Sequence, residues 1–262
     1  MKLPRVALIT GASSGIGKET AIALLQHGVN VAGTSRKIAS PQPLSILAED
    51  FPGDFLALQA DVRSSAAMQD AVNQLLERFG QLDFLIANAG IGHTGSLMEA
   101  SESDIQQLLQ TNIDGVIHSV RAAVPAMRQN VDGGHIMIVS SVVAPMTLPY
   151  SALYAASKAA VSSLARSLYH ELKEDRIHVS DFLLGRTETN FIANRLGQAR
   201  SQQARMLPAM SAETVGRTIL GLLEKKPRSF VARPFDRLLL MVNRILPDFV
   251  ARRALRHYGG KN

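Results

Sequence analysis

RVALITGASSGIGKETAIALLQHG, residues 5–28, is the stretch whose reading decides the fold. RVALIT is a short apolar, β-branched run that stops at Gly11, and ETAIALLQHG carries helical periodicity with a glycine stop at Gly28. TGASSGIG, residues 10–17, therefore lies between a strand and a helix. In that setting glycines let the backbone approach a phosphate, and the helix amino terminus adds N–H groups and the positive end of its dipole. Gly11, Ser13, Ser14, Gly15, Ile16 and Gly17 are the candidate phosphate-cradling residues. The spacing is GxxxGxG, not the GxGxxG of the commonest dinucleotide fingerprint. A glycine turn of this kind also serves as a plain structural turn, and only its place in an alternating α/β chain favours a dinucleotide.

The alternation continues. VNVAGTS (29–35) and FLALQADV (55–62) read as strands, AAMQDAVNQLLERFG (66–80) as an amphipathic helix, and LDFLIANAG (82–90) as a strand. A helix over about 102–129 follows, then the strand HIMIVSS (135–141), a long helix through residues 150–173, the strand IHVSDFLLG (177–185), a helix near 212–224 and the strand RSFVA (228–232). Apolar, two-sided strands separated by helices predict a doubly wound, Rossmann-like α/β fold with a parallel sheet of about seven strands and helices on both faces. Ligands of such sheets bind at the carboxyl ends of the strands. TGASSG, TSR, ADV, ANAG, VSS and LGRTET, the polar and glycine signals, stand at those ends, and they gather Asp61, Asn88, Ser141 and Thr189 on one edge.

Tyr154 and Lys158 are four residues apart on the long helix and share one face. A phenol beside an ammonium is a tunable acid, so Lys158 is expected to draw the Tyr154 proton towards neutral-pH chemistry. Ser141 is a candidate donor to a carbonyl oxygen. A Tyr and Lys at this spacing also occur as a solvated surface pair, which makes the company they keep decisive.

Composition narrows the function. Apolar residues make up 46% and charged residues 19% of the 262, as in an ordinary globular domain, and there is no cysteine for disulfides or thiolate metal sites. The seven histidines show no HExxH or paired ligand spacing, so no metal is expected. The amino-terminal apolar run is too short for a secretory signal, and the expected location is cytoplasmic. Of the net charge of +6, the segment from Arg233 onward holds +5: Arg233, Arg237, Arg244, Arg252, Arg253, Arg256 and Lys261 stand against Asp236 and Asp248. Basicity confined to a tail, with no tryptophan, argues against nucleic acid as a partner.

TGASSGIG, ADV, ANAG, the Asn of TNIDG, VSS and YAASK, in this order, resemble the classical short-chain dehydrogenase/reductase family over residues from about 5 to 190. The resemblance implies hydride exchange between a nicotinamide cofactor and a carbonyl or alcohol. It implies that Tyr154 is the general acid, that Lys158 tunes it and holds the nicotinamide ribose, that Ser141 holds the substrate carbonyl, and that Asn112 positions Lys158 through a water relay. It places Asp61 and Val62 against adenine, and Asn88, Ala89 and Gly90 beside the riboses. Thr187 and Thr189 would reach the nicotinamide carboxamide. Assembly as a homodimer or homotetramer through helices 102–129 and 150–173 is implied too. The chain departs from the family pattern in Ala87 of ANAG and in Leu184 of LLGRTET, where the usual residues are asparagine and proline.

At the end of the second strand, Ser35 and Arg36 stand where NAD-preferring relatives carry an acidic residue. Arginine there suits a 2′-phosphate, so NADPH is expected over NADH, the alternative being an arginine that merely solvates a loop. The expected function is reversible reduction of a ketone or aldehyde, lipid- or steroid-like. The competing readings are a catalytically silent nucleotide-binding scaffold or sensor and an NAD-dependent alcohol dehydrogenase. One domain is expected over 1–232 with a substrate lid at 186–211, followed by a helical extension at 233–262 that Pro247 divides. That extension is apolar with flanking arginines, suited to peripheral contact with the inner face of a membrane or to packing on protein.

Overall fold

The computed structural model describes residues 5–36, 50–197 and 209–258. In chain order the elements are β1 (Val6–Thr10), α1 (Gly15–Gln26), β2 (Asn30–Ser35), β3 (Phe55–Gln59), α2 (Ser65–Phe79), β4 (Phe84–Ala87), α3 (Glu102–Leu109), α4 (Gly115–Met127), β5 (Gly134–Ser141), α5 (Ala152–Glu171), β6 (Ile177–Leu184), β7 (Thr187–Glu188), β8 (Met210–Ser211), α6 (Ala212–Lys225), β9 (Ser229–Val231), α7 (Pro234–Ile245) and α8 (Pro247–Tyr258). Seven strands form one sheet in the order β3-β2-β1-β4-β5-β6-β9, with every pairing parallel. The direction of winding reverses between β1 and β4, so the glycine turn after β1 and the ANAG segment after β4 flank the switch point.

Each central strand is buried on both faces, and period-two alternation sends its side chains to different helices. Val6 and Leu8 of β1 with Ile136 and Ile138 of β5 pack under α2, α4 and α5, against Met68, Leu75, Val120 and Val161. Ala7 and Ile9 with Met137 and Val139 pack on the opposite face under α1 and α6, against Leu24, Leu25, Ile219 and Leu223. This is why the strands read as unbroken apolar runs.

The expected helix over 102–129 is present, but with an interruption. A π-helical turn, Gln110–Asp114, joins α3 to α4. The extra residue rotates Asn112 inward, where it is fully buried. Pro247 does divide the tail: α7 ends at Ile245 and α8 begins at Pro247.

Candidate active site

The glycine turn is held by its neighbour across the switch point. Thr10 Oγ1, at the end of β1, accepts from the backbone N–H groups of Asn88 and Ala89, both at 3.0 Å. The Asn88 amide donates back to the Thr10 carbonyl at 3.0 Å. Asn88 therefore spends its side chain bracing the turn. Gly11 adopts φ +70° and Gly15 φ +54°, conformations that cost a side-chain-bearing residue. Gly17 is needed for a different reason: a Cβ there would lie 2.2 Å from the Gly11 carbonyl oxygen. Ser13 and Ser14 are exposed, and Ser14 caps α1 without a side-chain hydrogen bond, which leaves the first-turn amides uncommitted by the cap. These residues fit a nucleotide phosphate.

The catalytic candidates meet at the carboxyl end of β5. Ser141 is the last residue of that strand; its hydroxyl donates to the Leu184 carbonyl at 3.2 Å and lies near enough to Tyr154 to act on its phenol. Lys158, one turn along α5 from Tyr154, is buried and donates to the Val139 carbonyl at 2.9 Å. Asn112 accepts at Oδ1 from the Ile91 N–H and donates to the Ile91 carbonyl and to Ser157 Oγ. Gly90 lies between the last two: a Cβ on it would be 3.3 Å from Asn112 Oδ1 and 3.4 Å from Lys158 Nζ. The ammonium and the amide oxygen thus face one small space beside the main chain of Gly90.

One electrostatic expectation is corrected. Tyr154 is not drawn towards neutrality in this structure; burial pushes its phenol up to about 12, and the hydrogen bond with Ser141 is what opposes the rise. The Lys158 ammonium is bonded to the Val139 carbonyl, and burial brings it down to about 8. Tyr154 at neutral pH is consequently a protonated donor.

At the ends of β2 and β3, Ser35 pairs in register with Gln59, and Arg36 is exposed. Asp61 is gripped by Arg63, whose Nη2 lies 2.6 Å from Oδ2; this bond, with a smaller contribution from Arg36, holds the carboxyl below its usual range. Sequence reading passed over Arg63, whose signal was its place two residues after Asp61. The Val62 carbonyl is bonded by His118 of α4 at 2.9 Å. Thr187 is buried, its hydroxyl donating to the Gly185 carbonyl, and the Thr189 methyl packs 3.2 Å from where a Gly15 Cβ would be. Thr189 thereby brings the start of the 186–211 segment against the glycine turn.

Of that segment, residues 198–208, with Met206 and Leu207, lie outside the described residues. Its described ends pair as the two-residue strands β7 and β8, and Phe191 sets its ring 5.9 Å from that of Tyr154. The tail reaches the same edge. Arg233 forms a buried ion pair with Asp236, which sits over Gly185, and Asn243 accepts from the Thr147 N–H and donates to the Pro145 carbonyl. Asp236 and Asn243 are polar residues of an apolar helix that sequence reading missed; they tie α7 to both loops beside Ser141. Leu238, Met241, Ile245 and Phe249 are each more than half exposed on the outside. No described helix is long and apolar enough to cross a membrane, and no group of three metal-ligating side chains occurs among the described residues.

Comparison with known proteins agrees with this arrangement. Residues 5–199 match the family model described as short chain dehydrogenase. The 3-ketodihydrosphingosine reductase of Bacteroides thetaiotaomicron is 36% identical over 200 residues, covering 74% of this chain and 70% of its own. A short chain dehydrogenase from Burkholderia cenocepacia, solved in complex with NADP, is 30% identical with a TM-score of 0.75, over 88% of this chain and 97% of that one. A short chain dehydrogenase/reductase from Burkholderia phymatum, solved with NAD, superposes with a TM-score of 0.84 over 95% and 96% of the two chains; at 22% identity it speaks for the fold alone.

Proposed function

The chain belongs to the short-chain dehydrogenase family and is an oxidoreductase of the carbonyl/alcohol class, and from that premise we propose that it is an NADPH-dependent reductase of a lipid-like ketone, with Tyr154 as proton donor. The observation that carries the reading is the cluster of Ser141, Tyr154, Lys158 and Asn112 at one strand end, linked to the braced glycine turn by the segment from Asn88 to Gly90. The nicotinamide would supply the hydride. Every other part of the work falls to the chain. Ser141 orients the carbonyl oxygen towards the Tyr154 hydroxyl, Tyr154 gives that oxygen its proton, and Lys158, charged below about 8, binds the ribose. Asp61 and Val62 flank the adenine, and Ala89 and Gly90 run beside the riboses.

Arg36 supports the preference for NADPH, being an exposed cation at the end of β2 with no acidic residue beside it in sequence. Replacing Arg36 by alanine is expected to raise KM for NADPH about 10- to 100-fold and to leave KM for NADH within about twofold, the worth of one charge-assisted hydrogen-bond pair. Initial rates over a carbonyl panel with both nucleotides measure this. Equal losses for NADPH and NADH would refute the 2′-phosphate contact.

The tail and the Bacteroides relative support a lipid-like substrate. Exposed Leu238, Met241, Ile245 and Phe249 beside Arg244, Arg252 and Arg253 suit the interface of an anionic bilayer. The protein is expected to sediment with phosphatidylglycerol vesicles, and Ile245→Glu with Phe249→Glu to lose about tenfold or more of that binding. Since both side chains are exposed, melting temperature should not change. Unaltered sedimentation of the double variant would overturn the membrane contact.

A further inference from the structure

One charged group beneath the catalytic cluster has no part in the chemistry just described. Asp181 lies in the middle of β6 and is 2% exposed. Its Oδ1 accepts from Ser140 Oγ, and its Oδ2 accepts from Ser162 Oγ at 2.5 Å. Both donors are adjacent to catalytic candidates. Ser140 immediately precedes Ser141 on β5, and Ser162 is one helical turn beyond Lys158 on the same face of α5. The Lys158 ammonium donates to Val139, whose register partner is Phe182, the residue after Asp181. The carboxylate is thus a three-way clamp of β5, β6 and α5, set below Ser141 and Lys158 together.

A carboxylate in a dry interior is costly unless compensated, so a merely structural clamp would be served better by neutral groups. The charged groups that act on Asp181 are Lys158 and Arg166, both on α5, and Arg166 also bonds Ser162 at 3.4 Å. Resting on the catalytic reading above, we propose that Asp181 is a positioning residue of the active site: it is the buried counter-charge of Lys158 and the anchor that sets Ser141 and Lys158 relative to each other. Burial draws the Lys158 ammonium down, and Asp181 is the group that opposes the fall. Burial raises the Asp181 carboxyl above its usual range, and the two serine hydroxyls, Arg166 and Lys158 oppose that rise.

The test is Asp181→Asn, which keeps the shape. Lys158 would then lose its proton at lower pH, so the alkaline limb of kcat is expected to move down by about half a pH unit or more. NADPH affinity against pH, followed by nucleotide fluorescence, should move in the same direction. The affinity measurement requires no turnover, so it stays informative if the assigned carbonyl chemistry is wrong. A variant with lowered melting temperature but unmoved pH limbs in both measurements would make Asp181 structural only and overturn the proposal. If Asp181→Asn does not fold, Ser162→Ala removes one of the two bonds that hold the carboxylate. It is expected to lower kcat several-fold with KM for NADPH within about twofold, and wild-type kinetics there would overturn the proposal equally.

Discussion

Tyr154→Phe is expected to reduce turnover by about a thousandfold, within the 10²–10⁴ range that one positioned acid contributes. NADPH affinity should stay within about twofold, because the nucleotide is proposed to meet the glycine turn, Lys158 and the ends of β2 to β4, none of which loses an atom. Stability should barely change: Ser141 Oγ keeps the Leu184 carbonyl as a partner when the phenol is removed. Stopped assays with the variant at saturating NADPH, beside a fluorescence titration, separate these quantities. A variant retaining a tenth or more of the rate would exclude Tyr154 as the acid.

The same residue fixes the sense of the pH dependence. A phenol at about 12 is protonated throughout the neutral range, so reduction does not wait on Tyr154. Lys158, brought down to about 8, would lose its charge above that, so an alkaline fall of reductase activity is expected to report the lysine. Alcohol oxidation needs the phenolate and should instead gain as pH rises until loss of nucleotide binding overtakes it.

Gly17→Ala should be strongly damaging despite its size. Gly17 does not occupy a positive-φ conformation, and alanine is the better helix former by up to about 1 kcal/mol. Propensity alone would make the variant more stable. The added methyl, however, would lie 2.2 Å from the Gly11 carbonyl oxygen and 2.8 Å from Asn88 Nδ2, both parts of the braced turn. Relief requires α1 to move away from β1, a cost of about 3 kcal/mol for an overpacked site. That corresponds to a loss of roughly 10 °C in Tm for a chain of this size, accompanied by a NADPH affinity reduced at least about tenfold. Gly221→Ala is the control. It sits inside α6 with nothing within 4 Å of the added methyl, so propensity wins there and Tm should rise by a few degrees. If Gly17→Ala melted with Gly221→Ala, the close approach at the turn would carry no weight.

Much of this site was legible in the chain. Strand and helix runs, each a local pattern of period two or 3.6, were enough to expect about seven parallel strands and to put Asp61, Asn88, Ser141 and Thr189 on one edge, and the sheet has seven. The i, i+4 spacing of Tyr154 and Lys158 is likewise local, and the helix preserves it. Asp181 was not legible as anything but a polar residue in a strand, because its meaning comes from Ser140 and Ser162, which lie 41 and 19 residues away in the chain. Asn243 was hidden for the same reason, its partners lying in the loop around Pro145, and the place of the Asp236–Arg233 pair over Gly185 is likewise a matter of packing.

The amino-acid sequence by itself determined the doubly wound sheet, the glycine turn and the company of Ser141, Tyr154 and Lys158, since periodicity and helical spacing survive any packing. Only the tertiary structure decided how those groups are charged and held. Burial carries the Tyr154 phenol up to about 12 and the Lys158 ammonium down to about 8, and the carboxylate of Asp181 is brought beneath them from another strand. Desolvation and through-space charge depend on which distant residues close over a group, and that is a property of the packed fold.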